Sequence, residues 1–138
     1  MNYAKLISKA IEAKENAYAP YSNFRVGAAL LTKDDLIYTG CNIENAAFSP
    51  TICAERTAVA KAVSEGHKEF KAIVVTGDNN DYLTPCGVCR QVLVEFCDLE
   101  EFKVILANSV EDFKEVSLGE LLPGSFSKEN LKNQKNLR

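Results

Sequence analysis

The sequence predicts a three-layer α/β/α fold, in which a mixed sheet of about five strands lies between helices. Helical and strand patterns alternate along the chain, and two short apolar runs, residues 72–75 and 102–107, are typical of strands covered on both faces. The links between elements at the two ends of the chain are short. We therefore expect parallel neighbours in the middle of the chain, with right-handed crossovers, and antiparallel strands added at either end.

The first half of the chain is predicted to hold two helices and two strands. Apolar residues recur at helical spacing over residues 3–17, and Pro20 marks the end of this helix. Residues 24–31 and 36–41 are predicted strands joined by a hairpin at residues 33–35. A second helix follows Pro50, carries Cys53 at its start, and stops at Gly66.

The second half is predicted to alternate strands with shorter helices. After the strand at residues 72–75, a third helix begins just after Pro85. A strand follows at 102–107, then a weaker strand at 110–116 and a helical turn at 118–122. The polar tail, residues 128–138, is expected to fray. Without a repeat or linker, the length predicts one domain spanning residues 1–138.

Composition narrows the function classes. Apolar residues make up 46% and charged residues 25% of the 138 residues, which is typical of a globular protein. With a net charge of -3, the chain lacks the excess of basic residues that is typical of a nucleic-acid binder. No apolar run approaches the ~20 residues that span a bilayer, and the first residues lead into no signal core. We expect a cytoplasmic protein without nucleic-acid or membrane partners.

Three of the five cysteines are predicted to converge. An odd number of cysteines, without a signal peptide, argues against a disulfide framework. Cys86 and Cys89 have a spacing shared by zinc sites and redox pairs, so by themselves they leave both open. Cys53 opens the second helix and Cys86 and Cys89 open the third, where the helix dipole favours thiolates. One helix and one strand separate them, so the two helix starts can lie side by side.

Three thiolates without a fourth ligand predict a catalytic zinc site. The only histidine, His67, follows the far end of the second helix, and Cys41 and Cys97 are expected to be buried non-ligands. Three protein ligands and an open position are typical of catalytic zinc, which lowers the pKa of water there to about 7. Glu55 can reach that water if Cys53 occupies the non-helical cap. Zinc-dependent base deaminases share this Cys-x-Glu and Pro-Cys-x-x-Cys pattern.

The chain resembles the small homotetrameric cytidine deaminases of the cytidine/deoxycytidylate deaminase family. The similarity is carried by residues 19–22, 24–29, 40–46, 53–58, 84–91 and 121–126, and covers nearly everything except the tail. It implies hydrolysis of free cytidine and 2′-deoxycytidine to uridine and 2′-deoxyuridine plus ammonia, in pyrimidine salvage. It also implies one Zn²⁺ per subunit and a homotetramer.

Substrate contacts follow from the same resemblance. Asn42 and Glu44 alternate at a strand end and therefore point to one side, where an amide and a carboxylate can bind neighbouring hydroxyls. The family uses these positions to hold the ribose, chiefly its 3′-hydroxyl. The resemblance further implies that Phe24 packs near the nucleoside, and that the Ala54 amide and the Thr84 carbonyl contact the base.

Three more roles are implied near the zinc and at the subunit boundary. Glu55 takes the proton of the attacking water, passes it to N3 of cytosine, and helps to protonate the departing ammonia. Arg56 donates to a thiolate and offsets the negative charge of three sulfurs. Phe126 reaches the pyrimidine of a neighbouring subunit. Each of these residues could instead have a purely structural role: core packing for Phe24, interface packing for Phe126, and an ordinary helix-surface charge for Arg56.

Two other functions stay open from sequence. A non-catalytic binding module stabilised by zinc would release no ammonia from cytidine. A related deaminase could act on another aminopyrimidine, such as blasticidin S, or on a base within nucleic acid. The acidic composition argues against nucleic acid.

Overall fold

The computed structural model describes residues 2–136, which form five helices and five strands. They are α1 Ala4–Lys14, β1 Val26–Thr32, β2 Ile37–Cys41, α2 Ala54–Ser64, β3 Phe70–Gly77, α3 Gly87–Phe96, β4 Lys103–Ala107, β5 Phe113–Ser117, α4 Leu118–Leu121 and α5 Lys128–Asn136. The predicted order of elements is confirmed up to α4. Within residues 2–136, no helix combines the length and the apolar character that crossing a membrane requires.

The prediction of a frayed tail is wrong for residues 128–136, which form α5. Ser127 precedes this helix, and its hydroxyl accepts a hydrogen bond from the Glu129 amide at 3.3 Å. Asn130 returns a bond by accepting from the Ser127 amide at 2.9 Å. These reciprocal contacts satisfy donors at the helix start, which polar composition alone did not reveal. Residues 137 and 138 of that prediction lie outside the described residues.

The sheet has five strands in the order β2-β1-β3-β4-β5. Only β3 and β4 pair in parallel; the other three neighbouring pairs are antiparallel. The predicted mixed five-stranded sheet and its antiparallel ends are confirmed. The prediction that β2 and β3 are parallel neighbours is wrong, because β1 lies between them. The prediction that β3 and β4 are parallel neighbours is confirmed. β1 is the more deeply buried strand of the hairpin, so it takes the interior position and leaves β2 at the edge.

Helices cover both faces of the sheet. On one face, α1 packs Leu6 and Ile7 in a cluster with Ala29 of β1. On the other face, α2 and α3 pack with Ala28 and Leu30 of the same strand. Because successive side chains of a strand point to opposite faces, β1 contributes to both clusters. The predicted three layers are therefore present.

A close approach between α2 and the edge strand fixes where α2 begins. A Cβ on Gly40 would lie 2.3 Å from the Ala54 carbonyl oxygen and 2.6 Å from the Ala58 nitrogen. Any larger residue at Gly40 would push α2 away from the strand, because real Cβ atoms do not approach backbone so closely. The first turn of α2 is thus held against the end of β2.

Candidate metal centre and active site

The three predicted zinc cysteines meet at the starts of two helices. Cys53 is the N-cap residue of α2 and Cys86 is the N-cap residue of α3, both with extended backbone. Cys89 is the third residue of α3. The Cys53 and Cys86 Sγ atoms are 3.7 Å apart, and those of Cys86 and Cys89 are 3.4 Å apart. All three sulfurs lie within 4.8 Å of one another.

This geometry fits a tetrahedral zinc ion. Zn–S bonds of about 2.3 Å in a tetrahedron place two sulfurs about 3.8 Å apart, close to the distances seen here. Cys89 is buried, Cys53 is partly buried and Cys86 is exposed, so the cluster opens on the Cys86 side. Cys41, Cys97 and His67 are not part of the cluster. The donor set therefore supplies three sulfur ligands and leaves one position free.

One sulfur of the cluster, that of Cys53, already favours the ionised form. Hydrogen bonding from the Cys89 thiol, and then from the Arg56 guanidinium, lowers the pKa of Cys53 to about 5. The same contact with Cys53, together with burial, raises the pKa of Cys89. Thiolate is the form that binds metal, so Cys53 is prepared as a ligand and zinc binding must displace the protons that remain.

Glu55 lies in the first turn of α2, two residues after the N-cap residue Cys53, as the sequence argument required. Its side chain is buried, with the residue only 4% exposed. Burial is the main cause that raises its pKa to about 7. A buried carboxyl with a pKa near neutrality, beside a metal cluster, suits a group that both accepts and returns a proton.

Arg56 points back from α2 toward the cluster. Its Nη2 donates to Cys53 Sγ at 3.5 Å and to the Thr51 carbonyl at 3.4 Å. This contact places a fixed positive charge against one of the three sulfurs. The geometry supports the charge-offsetting role inferred from the sequence and disfavours an ordinary surface position.

A cavity of about 250 Å³ joins the cysteine cluster to the end of β2. Four of the predicted substrate-binding residues line it: Asn42, Glu44, Ala54 and Thr84. Cys53, Cys86 and Glu55 form one end of the same cavity. Sequence reasoning did not anticipate the other lining residues, which are Val26, Thr51, Ile52 and Leu83. Three of these four residues lie in loops outside the named strands, where no periodic pattern marks them.

The hydrogen bonds of Asn42 fix its amide orientation. Its Oδ1 accepts from the Val26 amide at 2.9 Å, and its Nδ2 donates to the Phe24 carbonyl at 2.9 Å. The reverse assignment would place a donor against the Val26 amide and an acceptor against the Phe24 carbonyl, so the oxygen and nitrogen positions are unambiguous. Each polar atom of this side chain keeps capacity for one further hydrogen bond on the cavity side.

The two predicted aromatic contacts lie elsewhere in this subunit. The ring of Phe24 packs over Gly77, where an added Cβ would lie 2.8 Å from its Cζ, and Phe24 does not line the cavity. Phe126 is 56% exposed and does not line the cavity either. Its carbonyl accepts from Gln91 Nε2 at 2.9 Å, which ties the C-terminal segment to α3.

Two positioning contacts escaped the sequence analysis. Arg90 Nε donates to the Pro85 carbonyl at 2.7 Å, and its Nη1 donates to the Leu121 carbonyl at 2.6 Å. Thr57 Oγ1 lies 3.1 Å from the Cys41 carbonyl, and so joins α2 to the end of β2. The available signal was an arginine directly after the second cysteine of the Cys-x-x-Cys pair.

Comparison with known proteins agrees with this geometry. The family described as the cytidine and deoxycytidylate deaminase zinc-binding region matches residues 1–105. A cytidine deaminase from Sporosarcina psychrophila is 53% identical, over 95% of this chain and 96% of that protein. One from Halalkalibacterium halodurans is 50% identical, over 95% of this chain and 98% of that protein. The crystal structure of a cytidine deaminase from Burkholderia pseudomallei is 46% identical, with a TM-score of 0.85, over 91% of this chain and all of that one.

Removing one sulfur of the cluster is expected to release the zinc. Cys89→Ala should weaken zinc binding by more than about 100-fold, because loss of a direct ligand exceeds the 10–100-fold cost of losing an outer-shell partner. Metal analysis after dialysis against a chelator measures this. Cys97→Ala is the matched control, since burial raises the pKa of Cys97 to about 12 and its sulfur lies outside the cluster. Zinc retained by Cys89→Ala would contradict the three-sulfur site.

Proposed function

The chain belongs to the cytidine and deoxycytidylate deaminase family, and on that premise we propose that it hydrolyses free cytidine and 2′-deoxycytidine to uridine and 2′-deoxyuridine with release of ammonia. One observation supports this proposal more strongly than any other. A single cavity is lined at one end by a buried carboxyl and by two of the three convergent cysteines, and at the other by an amide with a carboxylate. The first end suits deamination and the second suits a sugar.

The size and polarity of the cavity support a free nucleoside. At about 250 Å³, it lies just below the roughly 300–1,000 Å³ of common ligand sites, so it suits one small molecule. The amide of Asn42 keeps one donor free, and the carboxylate of Glu44 can only accept when ionised. Together they can bind a sugar hydroxyl that donates to Glu44 and accepts from Asn42. Ala54 and Thr84 line the cavity, which supports the proposal that the Ala54 amide and the Thr84 carbonyl contact the base.

Glu55 moves the protons of the reaction. When bound by Cys53, Cys86 and Cys89, zinc supplies Lewis-acid activation of the water that attacks C4 of cytosine. Glu55 takes a proton from that water and delivers it to N3, and later helps to protonate the leaving nitrogen as the C4–N bond breaks. Burial keeps bulk water away from this carboxyl and holds its pKa near 7, so either protonation state is accessible.

Arg56 adjusts the charge of the metal site. Three thiolates around Zn²⁺ leave a net charge of -1, which weakens the ability of the metal to polarise water. The hydrogen bond from Arg56 to Cys53 draws electron density from one sulfur and partly offsets that charge. Arg56 is a positioning and tuning residue, since it acts through Cys53.

The chain is further proposed to act as one domain, residues 1–138, in a cytoplasmic homotetramer that serves pyrimidine salvage. Phe126 is exposed and does not line the cavity of its own subunit, which supports a role in a neighbouring subunit's site. Phe24 is proposed to pack near the nucleoside, and its carbonyl accepts a hydrogen bond from the Asn42 amide that lines the cavity.

Light scattering tests the shared site. The enzyme is expected to elute with four times the mass of one chain, because the small cavity of a single subunit needs neighbours to enclose a nucleoside. A fully active monomer would contradict sharing. A tetramer whose activity survives Phe126→Ala unchanged would contradict the role of that ring.

Replacing Glu55 is expected to remove the proton shuttle and to leave the metal. Glu55→Gln should lower kcat for cytidine by about 100- to 10,000-fold, the usual contribution of general acid–base catalysis. Ultraviolet absorbance follows the loss of cytidine, 2′-deoxycytidine, CMP and blasticidin S. Glu95→Gln, on the exposed surface of α3, is the control with the same change of charge.

The substrate panel separates the alternatives. Turnover of blasticidin S but not of cytidine would redirect the assignment to another aminopyrimidine. No turnover by a zinc-loaded wild-type chain would favour a binding module. Equal turnover by Glu55→Gln and the wild type would exclude the shuttle.

Replacing Arg56 tests charge tuning. Arg56→Ala is expected to lower kcat by about 10- to 100-fold, the usual cost of removing an outer-shell partner, and to keep zinc bound. Metal content and kcat, measured on the same preparation, distinguish tuning from metal loss. Arg56→Lys retains the charge without the planar donor geometry, so its kcat should lie between those of the wild type and Arg56→Ala. Unchanged kinetics in Arg56→Ala would remove this residue from the site.

A further inference from the structure

The sugar-facing carboxylate of Glu44 is held by the loop that precedes β1. Its Oε1 accepts from the Tyr21 amide at 2.9 Å and from the Ser22 amide at 3.1 Å. Its Oε2 accepts from the Ser22 hydroxyl. Three donors from two consecutive residues therefore set both the position and the rotation of one partly buried carboxylate.

Counting lone pairs identifies the oxygen that remains available. A carboxylate oxygen accepts two hydrogen bonds, so the two backbone amides occupy the capacity of Glu44 Oε1. Oε2 uses one position for Ser22 and keeps one. Glu44 can thus receive a single further hydroxyl proton at Oε2. This limit comes from the loop, because a free carboxylate would offer about four positions.

The hydroxyl proton of Ser22 has two possible acceptors, the Phe24 carbonyl and Glu44 Oε2. The Phe24 amide donates to Ser22 Oγ at 3.1 Å, which uses the serine as an acceptor. The Phe24 carbonyl lies 3.4 Å from Ser22 Oγ and also accepts from Asn42 Nδ2 at 2.9 Å. The contact to Glu44 is shorter and its acceptor is a carboxylate, which binds a donor more strongly than a neutral carbonyl, so the hydroxyl proton goes to Glu44. Asn42, Phe24, Ser22 and Glu44 form one connected network beside the cavity.

We propose that Ser22 is a positioning residue for substrate binding: its hydroxyl fixes Glu44 Oε2 so that one acceptor position faces one sugar hydroxyl. This inference rests on the proposed nucleoside deaminase function. The Ser22 hydroxyl is also the main cause that lowers the pKa of Glu44, which keeps the carboxylate an acceptor only. Ser22 neither lines the cavity nor belongs to the cysteine cluster, so we expect its effect to pass through Glu44.

The test compares ligands that have and lack the hydroxyl. Ser22→Ala is expected to raise KM for cytidine and 2′-deoxycytidine by about three- to tenfold, the equivalent of one ordinary hydrogen bond. The kcat should change by less than about twofold. The Ki of 2′,3′-dideoxycytidine, measured as a competitive inhibitor, should stay within about twofold of wild type, because that ligand gives Glu44 no 3′-hydroxyl to bind.

Three further variants sharpen the test. Ser22→Thr keeps the hydroxyl and should restore KM. Ser22→Gly removes the hydroxyl while keeping the backbone donors, and should reproduce Ser22→Ala. Ser64→Ala removes a hydroxyl bonded to the Lys61 carbonyl at 2.8 Å, far along α2, and is the matched control. In a Glu44→Ala background, Ser22→Ala should have no additional effect on KM, since Ser22 acts through Glu44.

The outcomes separate the two proposals. A zinc-loaded wild-type chain that does not deaminate cytidine would overturn the proposed function, and this inference with it. With an active wild type, an unchanged KM in Ser22→Ala would overturn this inference alone. A rise in the Ki of 2′,3′-dideoxycytidine equal to the rise in KM would also overturn this inference, because it would show that Ser22 only maintains the structure of the loop.

Discussion

The whole site depends on two helix starts held side by side at one end of the sheet. Cys53 caps α2 and Cys86 caps α3, and their sulfurs come within 3.7 Å. The chain reaches this arrangement by close backbone packing at Gly40, which holds the first turn of α2 against the edge strand. Unpaired N–H groups at both helix starts favour anionic sulfur, so the position that brings the cysteines together also prepares them as ligands.

The same constraint decides the chemistry of Glu55. A residue two places after an N-cap lies in the first turn and need not face away from the cap, as it would in mid-helix. Here it is buried, and burial raises its pKa to about 7. A carboxyl on the surface at this helix start would be an anion at neutral pH and a poor proton donor. The depth of α2 in the fold therefore gives Glu55 the raised pKa that its proposed role as a proton shuttle requires.

Sequence patterns predicted the parts of this molecule that rest on local rules. The cysteine spacing, the Cys53 cap and the alternation of Asn42 and Glu44 follow from helix and strand periodicity, and the structure brings these residues to one cavity. The place of β1 between β2 and β3 was missed, because it depends on which strand of a hairpin is buried more deeply. α5 was missed because reciprocal contacts at Ser127 offset its polar composition.

Hydrogen bonds between loops and the site were beyond sequence reasoning for a further physical reason. Pattern analysis treats Asn42 and Glu44 as free groups aimed at a ligand, whereas each already binds the backbone of residues 21–26. Those bonds use up part of the capacity of each side chain and leave one donor and one acceptor position on Asn42 and one acceptor position on Glu44 Oε2. A polar residue in a small cavity is thus selective through the contacts that the protein itself makes to it. If Asn42 and Glu44 bind the sugar as proposed, the loop before β1 sets which of their hydrogen-bonding positions a sugar hydroxyl can use.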